Sequence, residues 1–241
     1  MTAQTTAPGL YIHVPFCARA CPYCDFDFEV GRSPDATAFV QALERERTHR
    51  GIETGLPVRT VYLGGGTPSQ LGAAGLTGLL AWVADRFDLT ATVERTVELN
   101  PEHVDGPLLH ALVDAGVHRV SMGVQSLLPD ALATLGRVHQ ARQATAALRA
   151  AVAAGLQVSA DLIVGWPGQR PQQVREEVEG LLDTGIDHVS IYALTIEPGT
   201  PWTALVSRGR RSMPDADAQA ECLRAAETRL MDAGLEHYEV A

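Results

Sequence analysis

"YIHVPFCARACPYCDF", residues Tyr11 to Phe26, sets an apolar strand candidate directly against a loop that holds three cysteines. Together with this first run, "GLYIHVP", apolar or alternating stretches at "VRTVYLGGG", "TVERTVELN", "HRVSMGVQS", "VSADLIVGW" and "DHVSIYALTI" give six strand candidates. Between them lie the helical patterns "DATAFVQALERERTHR", "LTGLLAWVADRF", "GPLLHALVDAG", "ARQATAALRAAVAAG" and "PQQVREEVEGLLDTG", and "DADAQAECLRAAETRLMDAG" follows the last strand. Gly116, Gly155, Gly185 and Gly234 stand where these patterns stop, at the position where helices commonly end on a left-handed residue. Strict alternation of strand and helix implies an α/β chain with a parallel sheet, because parallel strands need crossover connections. Six such units point to an incomplete (β/α)6 barrel; an open doubly wound sheet is the competing arrangement, and a closed eight-stranded barrel would need two further units. In each case ligands collect at the carboxyl ends of the strands, where Cys17, Cys21 and Cys24 fall.

A chain of 241 residues can bury one sizeable core, and a single domain over residues 1–241 is the expectation. The stretch "EPGTPWTALVSRGRR" reads as the longest irregular segment, a lid or an edge connection, and the ending "LEHYEVA" reads as the opening of a further strand, as in a fragment of a longer protein. The composition, 46% hydrophobic and 20% charged, is that of a folded chain. A net charge of -10 argues against a broad nucleic-acid footprint, which rests on clustered basic side chains. Neither "MTAQTTAPGL" nor any later segment offers a signal peptide or a membrane span, so the cytoplasm is expected. All 19 basic residues are arginine, and the absence of lysine excludes Walker-type phosphate loops and Schiff-base or pyridoxal chemistry.

Crowded thiols in a reducing compartment read as a metal site and not as a disulfide framework. The CxxxCxxC spacing of Cys17, Cys21 and Cys24 lets three thiolates converge on one iron–sulfur cluster, whereas zinc sites generally use four ligands in two separated pairs. A 4Fe-4S cluster held by three cysteines keeps one iron open for a small molecule. The alternative is a structural zinc completed by His13, Asp25 or Cys222; Cys222, in "AECLRAAETRL", is more simply a buried helix residue.

At "YIHVPFCARACPYC" the sequence resembles the radical S-adenosylmethionine superfamily, specifically the oxygen-independent coproporphyrinogen oxidases and their haem-chaperone relatives. The resemblance implies a 4Fe-4S cluster on Cys17, Cys21 and Cys24, and S-adenosylmethionine chelating its open iron through the methionyl amine and carboxylate. It also implies a one-electron donor such as flavodoxin or ferredoxin, whose electron releases a 5′-deoxyadenosyl radical. "YLGGGTPSQL" matches the family's glycine-rich turn and places Gly65, Gly66 and Thr67 beside the methionyl end. Glu98 of "VELNP", Gln125 of "MGVQS" and Arg137 of "LGRVHQ" are the matching cofactor contacts, against plainer readings as backbone-satisfying groups or, for Arg137, a surface ion pair on a helix. Asp161, a carboxylate within an apolar strand, either holds ribose hydroxyls or meets an arginine such as Arg119. By the same match Tyr11, Tyr23 and Ala193 line the cofactor pocket, and "GWPGQ" and "YALTIEPGTP" complete the pattern. Oxidases of this type carry another cysteine two places after the third, where this chain has Phe26, so the resemblance favours the haem-chaperone branch. That branch implies binding of haem and its delivery to respiratory acceptor proteins, with a haem-binding histidine motif later than Ala241. A coproporphyrinogen III dehydrogenase and a radical methyltransferase stay open beside it.

Overall fold

The computed structural model describes residues 7–31 and 34–239. Its main sheet has six strands: β1 Gly9–Val14, β2 Thr60–Gly65, β3 Glu94–Leu99, β4 Arg119–Gln125, β5 Gln157–Val164 and β6 His188–Ala193. Each coincides with a stretch that the sequence marks as a strand. Their hydrogen-bonded order is β1-β2-β3-β4-β5-β6, and the pairs β1–β2, β2–β3 and β5–β6 run parallel. A doubly wound sheet reverses its order at a switch point. This order never reverses, so the chain winds in one direction, as in a partial (β/α)6 barrel.

The helices are α1 Ala36–His49, α2 Gly72–Arg86, α3 Gly106–Asp114, α4 Pro129–Thr134, α5 Ala141–Ala153, α6 Pro171–Leu182, α7 Pro201–Ser207 and α8 Ala216–Asp232. Asp35, Asp105 and Asp215 cap α1, α3 and α8 by accepting from backbone N–H groups three residues on, at 2.9, 2.7 and 2.9 Å. Prolines open α4, α6 and α7, where a missing N–H costs nothing. The four glycines expected at helix ends all have positive φ. No helix among the described residues is long and apolar enough to cross a membrane.

Three segments differ from the sequence reading, and the first is α4, a short helix that none of the helical patterns covers. "EPGTPWTALVSRGRR" is not irregular throughout, because α7 occupies its centre and buries Trp202 to 1% exposure. A lid would be free to move, whereas this segment is anchored by a core side chain. Residues 235–239 form no strand; residues 240 and 241 of the same stretch lie outside the described residues.

The residues group into two compact units. The first comprises Met1–Arg19, Asp27–Leu99 and His103–Val120, and the second comprises Ala20–Phe26, Asn100–Glu102 and Ser121–Ala241. In the first, α2 packs on α1 and α3, and Leu76, Leu79, Leu108 and Leu112 are buried with Val61, Leu63 and Val97 of the strands. Burying each such side chain is worth about 1.5–3 kcal/mol, which is why the strands read as apolar runs. In the second, α6 packs on α8, and Leu135, Ile163, Leu194 and Trp202 form a cluster on which Tyr23 and Trp166 rest.

Candidate cofactor site

In the first unit, the chain leaving β1 forms a two-residue ladder in which Phe16–Cys17 pairs with Glu29–Val30. Glu29 N–H donates to the Pro15 carbonyl at 2.7 Å and Gly31 N–H to that of Cys17 at 2.9 Å, closing the base of the cysteine loop. Cys17 Sγ lies 3.5 Å from the hydroxyl of Thr67, which is buried. The glycine-rich turn is tight for reasons internal to the protein. Gly65 has φ +114°, and a Cβ there would sit 2.6 Å from the His13 ring; one on Gly66 would meet the Pro15 backbone at 2.8 Å. Glu98 receives the Tyr62 hydroxyl at 2.7 Å on one oxygen and Gly65 N–H at 3.1 Å on the other. Burial pushes its carboxyl above the ordinary carboxylate range, against the pull of these two hydrogen bonds. His13 Nε2–H donates to the Asp27 carbonyl at 2.7 Å, leaving Nδ1 to accept from the Tyr11 hydroxyl at 3.0 Å. Both nitrogens are thus engaged within the fold.

In the second unit, Cys21-Pro22-Tyr23-Cys24 is a turn closed by Cys24 N–H donating to the Cys21 carbonyl at 3.2 Å. Proline presets the second position of such a turn, whose ends then lie within about 7 Å of each other, close enough for two thiolates to share one metal group. The turn is held at three points. Trp202 N–H donates to the Pro22 carbonyl at 2.8 Å. Gly136, with φ +71°, abuts Pro22, where a Cβ would fall 2.7 Å from Cδ. Arg137 donates from Nη1 to Cys21 Sγ at 3.8 Å and from Nη2 to Asn100 Oδ1 at 2.7 Å and the Gly123 carbonyl at 2.9 Å. Arg137 is therefore turned inward onto a thiol and is no surface ion pair. Burial, and then the neighbouring Cys21, raise the Tyr23 phenol well above its usual range.

Gln125 ends β4 with φ +65°, the one non-glycine residue at positive φ among the described residues. Such a conformation costs about 1–3 kcal/mol and clusters at functional sites. Its Oε1 and the Nε of Arg137 are buried without a hydrogen-bond partner, and both side chains border Gly123. Asp161 accepts from the Ser121 hydroxyl at 3.1 Å, and Ala193 is the half-buried last residue of β6. Cys222 is buried on α8, as the plain reading of its helix implies.

Glu102 and His139 were missed by the sequence reading, although "VELNP" and "LGRVHQ" stop beside or contain them. The His139 ring is buried, 3.0 Å from the Val124 carbonyl through Nε2 and 3.3 Å from Glu102 through Nδ1. Burial opposes the charge on Glu102, yet the His139 hydrogen bond and the Arg137 guanidinium bring its carboxyl down to about 2. A depressed carboxylate stabilises the fold above its unfolded value, near 4.5, and this contribution is lost as pH falls through about 2. The stability difference between parent and Glu102→Gln is expected to be widest near neutrality and to vanish by pH 2, as read from denaturant melts at a series of pH values. Glu98 and Glu177, raised by burial, have the opposite sign, and their contributions decline as pH rises above the ordinary carboxylate range.

None of the cysteines forms a disulfide, and Cys17, Cys21 and Cys24 are half-buried. Among the described residues no three His, Cys, Asp or Glu side chains are gathered closely enough to hold a metal ion. The sequence profile of the radical SAM superfamily matches residues 11–181. The haem chaperone HemW of Mycobacterium tuberculosis is 41% identical over 240 residues, which are 97% of this chain and 61% of that protein. The mouse mitochondrial radical S-adenosyl methionine domain-containing protein 1 is 37% identical over 99% of this chain and 54% of its own length. Among solved structures, coproporphyrinogen III oxidase HemN of Escherichia coli, a radical SAM enzyme, superposes with a TM-score of 0.81 at 26% identity, covering 95% of this chain and 53% of that one. The chain thus spans between half and two thirds of the length of these relatives. With more than half of its residues matched, the chain belongs to the radical SAM superfamily, and membership implies binding of S-adenosylmethionine and an iron–sulfur cluster.

Proposed function

We propose that the chain is the radical S-adenosylmethionine core of a haem chaperone, with Cys17, Cys21 and Cys24 as the ligands of a 4Fe-4S cluster. The observation that carries the choice of branch is Phe26, which is 65% exposed two places after Cys24, where the oxidase pattern has a further thiol. The relatives named haem chaperones, at 41% identity, support the same branch.

The residues suit the cofactors. Cys21 and Cys24 are paired by a proline turn and seated against a guanidinium. The unsatisfied Arg137 Nε and Gln125 Oε1, one donor and one acceptor, complement an amino-acid zwitterion, carboxylate to the first and ammonium to the second. Glu98 is fixed by Tyr62 and Gly65, and each of its oxygens keeps a lone pair for an ammonium group. A bound, reduced cluster would supply a single electron to S-adenosylmethionine. By the family match, Tyr11, Gly65, Gly66 and Thr67 of the first unit and Tyr23, Asp161 and Ala193 of the second are further proposed cofactor contacts, and a flavodoxin- or ferredoxin-like protein is the proposed electron donor.

Anaerobic reconstitution with iron and sulfide, followed by haem titration and an assay for 5′-deoxyadenosine, tests this. Haem binding and transfer to an acceptor without deoxyadenosine turnover support the chaperone; substrate-dependent deoxyadenosine formation with coproporphyrinogen III would replace it by the oxidase reading, which the superposition on HemN favours. Arg137→Ala is expected to weaken S-adenosylmethionine binding roughly tenfold or more with iron content unchanged. Unchanged affinity by calorimetry would count against the assignment of Arg137.

A further inference from the structure

Gln125 ends β4 in a conformation that needs support from outside the strand. Its φ is +65°, and Ser126 N–H donates across it to the Val124 carbonyl at 2.8 Å, closing a three-residue turn of the rare, strained kind. The oxygen that closes this turn accepts a second hydrogen bond, from His139 Nε2–H at 3.0 Å. A carbonyl can only accept, so geometry fixes a proton on Nε2. The His139 side chain is 0% exposed, so no solvent competes for the bond. At the opposite edge of the ring, Nδ1 lies 3.3 Å from Glu102 Oε2, on the short turn Pro101–His103 that follows β3. Glu102 in turn stands in the field of the Arg137 guanidinium. One imidazole therefore joins the strained residue at the end of β4 to the carboxylate that faces Arg137. The side chains of Gln125 and Arg137 meet beside Gly123, each with a buried polar atom that lacks a partner. Glu102, Gln125, Arg137 and His139 all belong to the second unit.

We propose that His139 is a positioning residue for S-adenosylmethionine: by holding the Val124 carbonyl it locks the turn that presents the Gln125 side chain to the amino-acid end of the cofactor. The proposal rests on the cofactor reading above and adds a residue that acts through Gln125 and not by contact. Without the imidazole only Ser126 N–H remains on the Val124 oxygen, and Gln125 is free to relax toward the ordinary strand region. Side-chain direction follows the backbone, so that relaxation turns the Gln125 amide away from its place beside Arg137.

His139→Leu fills the space and removes the donor. In the full chain, reconstituted anaerobically, its affinity for S-adenosylmethionine is expected to fall roughly 5- to 10-fold by calorimetry, the worth of one hydrogen bond to the cofactor. Affinity for 5′-methylthioadenosine, which has the nucleoside and the sulfur but no amino-acid end, is expected to stay at the parent's value, as is iron content. His139→Gln, whose amide keeps a donor on a side chain of similar reach, should recover most of the loss. In a Gln125→Gly background, where the side chain to be positioned is gone, His139→Leu should change S-adenosylmethionine affinity by less than about twofold. His139→Phe takes the place of the leucine variant in each comparison if that variant does not fold. Equal S-adenosylmethionine affinity in parent and His139→Leu overturns the role of His139 alone. So does an equal fall for 5′-methylthioadenosine, which would mark a merely structural residue, or an undiminished effect in the Gln125→Gly background. An iron-loaded parent that does not bind S-adenosylmethionine overturns the cofactor reading and this proposal with it.

Discussion

Cys21→Ala is expected to abolish iron–sulfur loading while leaving the cooperative thermal transition in place. The thiol lies on a loop at the end of β1, closed by one turn hydrogen bond and by contacts from Gly136, Arg137 and Trp202, and none of the buried apolar side chains of either unit depends on it. Loops of this kind carry function without carrying the core. Removing one of three thiolates strips the cluster of a third of its protein ligands, and ligand loss at a metal site acts on binding free energy directly. Iron and sulfide determination on anaerobically reconstituted protein is the measurement, with far-UV circular dichroism as the check on folding. Cys222→Ala is the matched control, because that thiol is buried on α8 and should leave iron content unchanged. Parent-like iron and sulfide in Cys21→Ala, or loss of metal in Cys222→Ala, would overturn the ligand assignment.

Glu177→Ala should produce the largest loss of stability of any single change considered. Glu177 sits on α6 at 1% exposure, and its carboxyl gathers the ends of β4 and β5. One oxygen accepts from the Ser126 hydroxyl and from Leu127 N–H, the latter at 2.8 Å; the other accepts from Gln169 Nε2, also at 2.8 Å. Gln169 in turn takes Gly165 N–H on its own oxygen at 2.5 Å. Truncation leaves two buried donors, on Ser126 and Gln169, and the part-buried Leu127 N–H without this acceptor, at a combined cost of roughly 3 kcal/mol. For a chain of this size that corresponds to a fall in Tm of about 6–12 °C. Glu177→Gln should fall between parent and alanine, since an amide restores an acceptor for Ser126 and Leu127 but turns a donor toward Gln169. Glu176→Ala, exposed one residue away, should shift Tm negligibly. A Glu177→Ala protein melting with the parent would show that water replaces the carboxyl in this network.

The strands and most helices were legible because each local signal agreed with the next. Apolar runs carried the strands, capping aspartates and closing glycines bounded the helices, and the thiol spacing fell directly after β1. The reading failed at α7, where "EPGTPWTALVSRGRR" looks like a loop by its prolines, glycines and arginines. Its order comes from Trp202, which is buried against Leu194 and against Leu135 and Ile163, the last two far away in the chain. Glu102 and His139 were invisible for a related reason. Nothing in "NPEH" or "RVHQ" says that two polar residues 37 positions apart will meet as a pair.

Sequence by itself determined which residues form the elements and which chemistry is available, since period, capping and thiol spacing are properties of neighbours along the chain. It left open whether six strand–helix units wind one way or two. That was decided by the hydrogen-bonded order β1 to β6, a matter of long-range pairing that no local pattern encodes. Tertiary structure alone also decided that Gly136, Arg137 and Trp202 seat the Cys21–Cys24 turn, and that Gln125, Arg137 and Trp166 each hold a buried polar atom with no partner. Whether such an atom is satisfied depends on which distant groups arrive beside it, so it can be read only once the chain has folded.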